Sequence, residues 1–168
     1  LSNQSHLITE KIEEAKDLEG LSHAAAQITR MIVLLHRSGS RVNLIAKLVQ
    51  QLNARLFERA WQLIAPADLV ANSCLFVMGS EGRGEQLLKT DQDNGLLIRE
   101  GFVTPDNLDA LCQQFSKALA GFGYPPCPGN IMVSNPMWCK GETEFGQMTR
   151  QWLIMPDGDS LMNLAIFM

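Results

Sequence analysis

The sequence predicts an α+β fold in which an N-terminal helical hairpin precedes a mixed sheet flanked by helices, and three observations predict its architecture. Apolar residues recur at helical spacing up to Ala65. Two short apolar runs, Cys74-Leu75-Phe76-Val77-Met78 and Leu96-Leu97-Ile98, then bracket a polar stretch rich in glycine. A further helical pattern follows the second run, so the order strand, turn, strand, helix belongs to an α+β or α/β unit.

In chain order, Ile8, Ile12, Ala15 and Leu18 lead into Leu21, Ala25, Ile28, Ile32 and Leu35, which predicts helix over residues 5–37. Gly20 lies between the two runs and predicts a kink or break there. Ser38-Gly39-Ser40 reads as a turn, with Ser40 as N-cap of a second long helix carrying Val42, Ile45, Val49, Leu52, Leu56 and Leu63. Together these form an αα-hairpin annex over 1–66, with the core domain over 67–168 and cut short at its C-terminal end. Arg30, Arg37, Arg41, Arg55 and Arg59 on it are either a solvated face or a surface for an acidic partner. His6, His23 and His36 follow no metal-ligand spacing.

Ala65-Pro66-Ala67-Asp68 closes the helical part, and strands are predicted near residues 74–78 and 94–99. Gln86 to Thr90 is short enough to be a helical turn or a loop. Thr104 as N-cap and Pro105 at the first helical position open a helix whose inward residues are Leu108, Leu111, Cys112, Phe115 and Leu119, and Gly121 stops it. Three prolines and two glycines keep 123–129 irregular. Ile131-Met132-Val133 reads as a short strand. Phe145, Met148, Trp152 and Met155 mark one more amphipathic helix, ending near Pro156-Asp157-Gly158. Leu161 to Met168 reads as a strand or a buried helix.

The chain opens at Leu1 and stops inside an apolar run, as expected of a piece of a larger protein. It has neither an apolar segment of bilayer-spanning length nor a leader pattern, so a cytoplasmic, non-membrane protein is expected. Cys74, Cys112, Cys127 and Cys139 form no C-x-x-C pair, which favours reduced thiols. The net charge of −4 is unevenly placed: residues 1–65 hold eight Lys/Arg against six Asp/Glu, and 66–168 hold six against twelve. An acidic second part argues against a nucleic-acid cradle, which needs a basic surface.

The chemistry concentrates between the two predicted strands. Gly79-Ser80-Glu81-Gly82-Arg83-Gly84-Glu85-Gln86 is followed by Lys89-Thr90-Asp91-Gln92-Asp93-Asn94. In extended chain Asp91 and Asp93 share a face, and two adjacent carboxylates repel unless a cation or proton lies between them. A divalent metal resolves this simply. A P-loop is excluded because Gly84 is followed by Glu85 rather than lysine, and a dinucleotide fingerprint because Gly82-Arg83-Gly84 lacks its third glycine. An EF-hand starting at Asp91 would place Gly95 at its fifth position and Phe102 at its twelfth, where oxygen ligands are needed. A glycine-serine turn after a strand, with D-x-D downstream, instead suits phosphoryl or nucleotidyl transfer. Backbone N–H groups at Gly79 and Ser80 can approach a triphosphate, the Ser80 hydroxyl can donate to it, and Arg83 offers a planar fork. A tight turn with a solvated acidic loop accounts for the glycines and aspartates, but not for Ser80, Arg83 and Glu85 with them.

These residues resemble the nucleotidyltransferase superfamily typified by DNA polymerase beta. More narrowly, Gly79-Ser80-x-Gly82-Arg83-x-Glu85-Gln86 with Thr90-Asp91-Gln92-Asp93-Asn94 resembles bacterial nucleotidyltransferases attached to CBS and cyclic-nucleotide-binding domains, similar to the uridylyltransferase of the PII signal protein. The preceding helical pair and the stretch Pro128 to Trp138 resemble the same group. The resemblance implies that Asp91 and Asp93 are the catalytic metal ligands for Mg²⁺ or Mn²⁺, and that Gly79, Ser80 and Arg83 contact an NTP. Glu85 and Gln86 brace the loop, while Lys89 either offsets phosphate charge or is a surface lysine. Asn135 and Trp138 match without an assignable chemistry, which favours structural roles. The superfamily takes a third acid from a later strand. Leu161 to Met168 carries none, so that acid is expected just past Met168, unless Asp157 or Asp159 folds back.

The activity implied is transfer of an NMP from an NTP to an acceptor hydroxyl with release of pyrophosphate. The acceptor would be a tyrosine on a PII-like signalling protein, under control of sensor domains in the parent chain. The alternative is a catalytically weak or inactive module that binds nucleotide and reports through the helical pair.

Overall fold

A computed structural model of the chain describes residues 2–77, 92–127 and 130–154. Among them it is the α+β arrangement expected: six helices around a small three-stranded mixed sheet. The helical part opens with α1 (Ser2–Glu14), α2 (Leu18–Arg37) and α3 (Val42–Ile64), each packed on the other two. The break in the first predicted helix falls at Ala15–Asp17 rather than at Gly20. Asp17 is extended there, and its carboxylate accepts the Gly20 N–H at 2.8 Å, so a capping aspartate sets the boundary and Gly20 joins the first turn of α2.

Ser40 serves the end of α2, not the start of α3. Its N–H bonds Leu35 O and the Gly39 N–H bonds His36 O, a Schellman closure that needs the positive φ of Gly39, +81°. The residue preceding α3 is Arg41, without a side-chain cap. Two arginines of the hairpin have intramolecular partners. Arg59 donates twice to Ala15 O, at 2.8 and 3.2 Å, and Arg55 meets Glu13 at 3.0 Å, so α3 holds the end of α1.

After the short α4 (Ala67–Ala71), strand β1 (Ser73–Val77) pairs antiparallel with β2 (Asn94–Ile98). A crossover containing α5 (Leu108–Gly121) leads to β3 (Cys139–Gly141), parallel to β2, and α6 (Glu142–Ile154) follows. β2 is the central strand, and its two faces enter different clusters. Leu96 and Ile98 join the main core with α2, α3 and α5, while Leu97 lies with Phe76, Ile131, Trp138 and Phe145. A central strand covered on both sides explains the unbroken apolar run.

Three predicted details are corrected. Helix α5 begins at Leu108 behind Asn107, because Thr104-Pro105 lies in the preceding irregular segment, where Pro105 O receives the Leu108 N–H. It closes on Gly123, φ +105°, through Gly123 N–H to Ala120 O and Tyr124 N–H to Leu119 O, whereas Gly121 is its last helical residue. Ile131–Val133 forms no strand, and the third strand is Cys139–Gly141. The predicted run at Leu161–Met168 lies outside the described residues.

Gly95 faces Phe76 across the β1–β2 register. A Cβ on Gly95 would fall 2.2 Å from Phe76 Cζ, and that ring is itself packed edge-on against Phe145 with centroids 5.7 Å apart. Gly95→Ala must displace the ring and break the aromatic pair, so urea unfolding is expected to show a loss of about 2 kcal/mol. Unchanged stability would contradict this packing.

Candidate active site

The β1–β2 register pairs Val77 with Asn94, which brings the two described flanks of the glycine-rich motif to one end of the sheet. Of the residues singled out in the motif, Asp93 is described. Gly79, Ser80, Arg83, Glu85, Gln86, Lys89 and Asp91 lie outside the described residues, as do Asp157 and Asp159.

The D-Q-D-N run enters β2 through two buried amides. Gln92 is 1% exposed and Asn94 0%. The Gln92 N–H donates to Pro125 O at 3.0 Å, and its Nε2 donates to Ser116 O at 2.8 Å and Tyr124 O at 3.0 Å. The run is thereby fastened to α5 and to the segment after it. The Asn94 N–H donates to Ile131 O at 3.1 Å, and Asn94 Oδ1 accepts the Val133 N–H at 2.9 Å. Asp93, between them, is only half-buried. Asp93 shares the sequence parity of Gly95 and Leu97, whereas Asn94 shares that of Leu96 and Ile98, on the main-core face.

Sequence reasoning passed over Gln92 and Asn94. Their signal was available: two amides alternating with carboxylates at the mouth of an apolar strand have no reason to be there unless backbone groups await them. Gln92 Oε1, Asn94 Nδ2 and Ser116 Oγ are buried without a hydrogen-bond partner among the described residues.

The later stretch resembling the same family meets the motif at Asn94, through Ile131 and Val133. Asn135 fixes that stretch: its Oδ1 accepts the Met137 N–H at 3.2 Å and its Nδ2 donates to the carbonyl of Asn130, whose φ is +57°. Trp138, 1% exposed, packs with Phe145. Both residues are structural here. Tyr124, 1% exposed, donates its hydroxyl to Asn53 Oδ1 on α3, and burial pushes its phenol well above the usual range, so it stays protonated.

Among the described residues, no three or more His, Cys, Asp or Glu side chains are grouped to hold a metal. No described helix is long and apolar enough to cross a membrane.

A helix-flanked mixed sheet whose central strand is entered through D-x-D is an arrangement suited to a nucleotidyltransferase, and the family comparison is of that class. Residues 26–159 match the family described as "Putative nucleotidyltransferase DUF294", and the chain belongs to that family. The match begins inside α2 and covers both the motif and the Asn94-contacting stretch. No significant match is found among curated proteins or among solved structures.

Proposed function

We propose that this chain transfers a nucleoside monophosphate from an NTP to an acceptor hydroxyl, releasing pyrophosphate, with Mg²⁺ or Mn²⁺ held by Asp91 and Asp93. The observation that carries the reading is the anchoring of D-Q-D-N. Gln92 and Asn94 bond backbone groups of the core, which fixes the start of β2, and Asp93 with it, at the end of the sheet where the described flanks of the glycine-rich motif meet. Carboxylate oxygens are the hard donors such ions prefer. When bound, the ion neutralises triphosphate charge and lowers the pKa of the attacking hydroxyl.

The chain's own residues bind and orient. Gly79 and Ser80 offer N–H groups and a hydroxyl to phosphate oxygens, Arg83 adds a charged fork, and Lys89 offsets phosphate charge. Glu85 and Gln86 brace the loop. Positioning of this kind supplies most of the rate in phosphoryl transfer. The resemblance to the PII-protein uridylyltransferase makes a tyrosine of a small signalling protein the proposed acceptor, with CBS and cyclic-nucleotide-binding domains in the parent protein as its sensors.

The test is incubation with each of the four NTPs, labelled at the α-phosphate, with Mg²⁺, a PII-type acceptor and a pyrophosphate assay. Label on the acceptor, matched by pyrophosphate and abolished by EDTA, is expected. Tight NTP binding without pyrophosphate from any of the four would instead mark a nucleotide-binding regulatory module.

A further inference from the structure

Cys112 lies on the buried face of α5 and Cys139 opens β3, and their sulfurs are 3.9 Å apart. We propose that these two residues are a thiol-oxidation site, closing to an intrachain disulfide when a peroxide reaches Cys139.

The two thiols are unequal. Cys112 is 1% exposed, whereas Cys139 is half-buried. The contact between the two sulfurs lowers the Cys139 thiol, against the opposing effect of burial, with the neighbouring Lys140 charge lowering it further and Asp109 raising it. The same contact, reinforced by burial, raises Cys112. Thiolate character therefore belongs to the more exposed of the two residues, the arrangement that selects a site for oxidation.

The chemistry balances with a peroxide as the oxidant. The Cys139 thiolate attacks one peroxide oxygen, the O–O bond breaks, and the departing hydroxide takes up a proton to become water, leaving Cys139 as a sulfenic acid. The Cys112 sulfur then attacks the Cys139 sulfur, and the sulfenic hydroxyl leaves as water with the Cys112 proton. Two thiols lose two electrons, and one peroxide becomes two waters. Cys112 is already in place as the resolving thiol, because closure needs the sulfurs to move only from 3.9 Å to about 2.05 Å.

The bond would join α5 to β3. α5 holds Gln92 through Ser116 O, and β3 pairs with Leu96 of β2, so the staple links two supports of the strand that follows Asp93.

Native protein is treated with hydrogen peroxide, quenched by thiol alkylation and digested with chymotrypsin. Cleavage after Phe76, Phe115, Phe122, Trp138 and Phe145 leaves the four cysteines on four separate peptides. The expected result is a Cys112–Cys139 peptide pair, lighter by the two thiol hydrogens and released by dithiothreitol, as the major cross-linked species. In Cys112→Ser, Cys139 should stop at the sulfenic acid and be trapped by dimedone. Cys139 oxidised to sulfinic acid in the native chain without a link to Cys112, or links chiefly through Cys74 or Cys127, would overturn the proposal.

Discussion

Asp93→Asn is expected to lower Mg²⁺-dependent nucleotidyl transfer by about three orders of magnitude, and Asp91→Asn to do the same. Each exchange preserves side-chain shape and removes one charge. A metal bridging a triphosphate contributes several kcal/mol to the transition state, and each 1.36 kcal/mol is a factor of ten, so weakening its hold gives a loss of about that size. Asp93 is half-buried, between Gln92 and Asn94, whose own hydrogen bonds the substitution leaves in place. The exchange preserves side-chain shape, so the chain should still fold while pyrophosphate release collapses. A variant that keeps more than about a tenth of the wild-type rate would exclude Asp93 from metal binding.

The converse is expected of the neighbouring amides. Asn94→Ala leaves the buried Val133 N–H without its acceptor and opens a space at a fully buried position. An unsatisfied buried donor and a small cavity together should cost about 3 kcal/mol. For a chain of this length that lowers the melting temperature by about 6–12 °C. Gln92→Ala removes two hydrogen bonds, to Ser116 O and Tyr124 O, and is expected to lose a similar amount. Differential scanning calorimetry checks both. A loss of activity in either variant without a loss of stability would give the amides a direct role in the site and contradict their reading as anchors.

These pairs show what the sequence made legible. The strands around Leu75 and Leu97, the amphipathic stripes of α2, α3 and α5, and the irregular 124–127 segment follow from local periodicity and turn chemistry, and they are found. Boundaries failed where two signals competed. Asp17 prevailed over Gly20 because a side-chain cap satisfies an orphan N–H, while a glycine only weakens a helix. Gly123 prevailed over Gly121 because the closing turn needs its positive φ. Tertiary partners were the least legible. That Gln92 would reach Ser116 and Tyr124, or that Asn94 would meet Val133, depends on chain brought back from 24 to 39 residues away, which no local pattern encodes. In the candidate site, the D-x-D and glycine-serine spacing carries the proposed chemistry, and the partners of the buried amides that seat the run emerge only in three dimensions.

The most direct test of the nucleotidyltransferase reading is calorimetric titration of ATP, UTP, GTP and CTP, with and without Mg²⁺, into the wild-type chain and the Asp91→Ala/Asp93→Ala double variant. Binding that requires Mg²⁺, favours one base and disappears in the double variant is the predicted result. Equal NTP binding by a folded double variant, or binding indifferent to Mg²⁺, would contradict a metal–triphosphate site at Asp91 and Asp93.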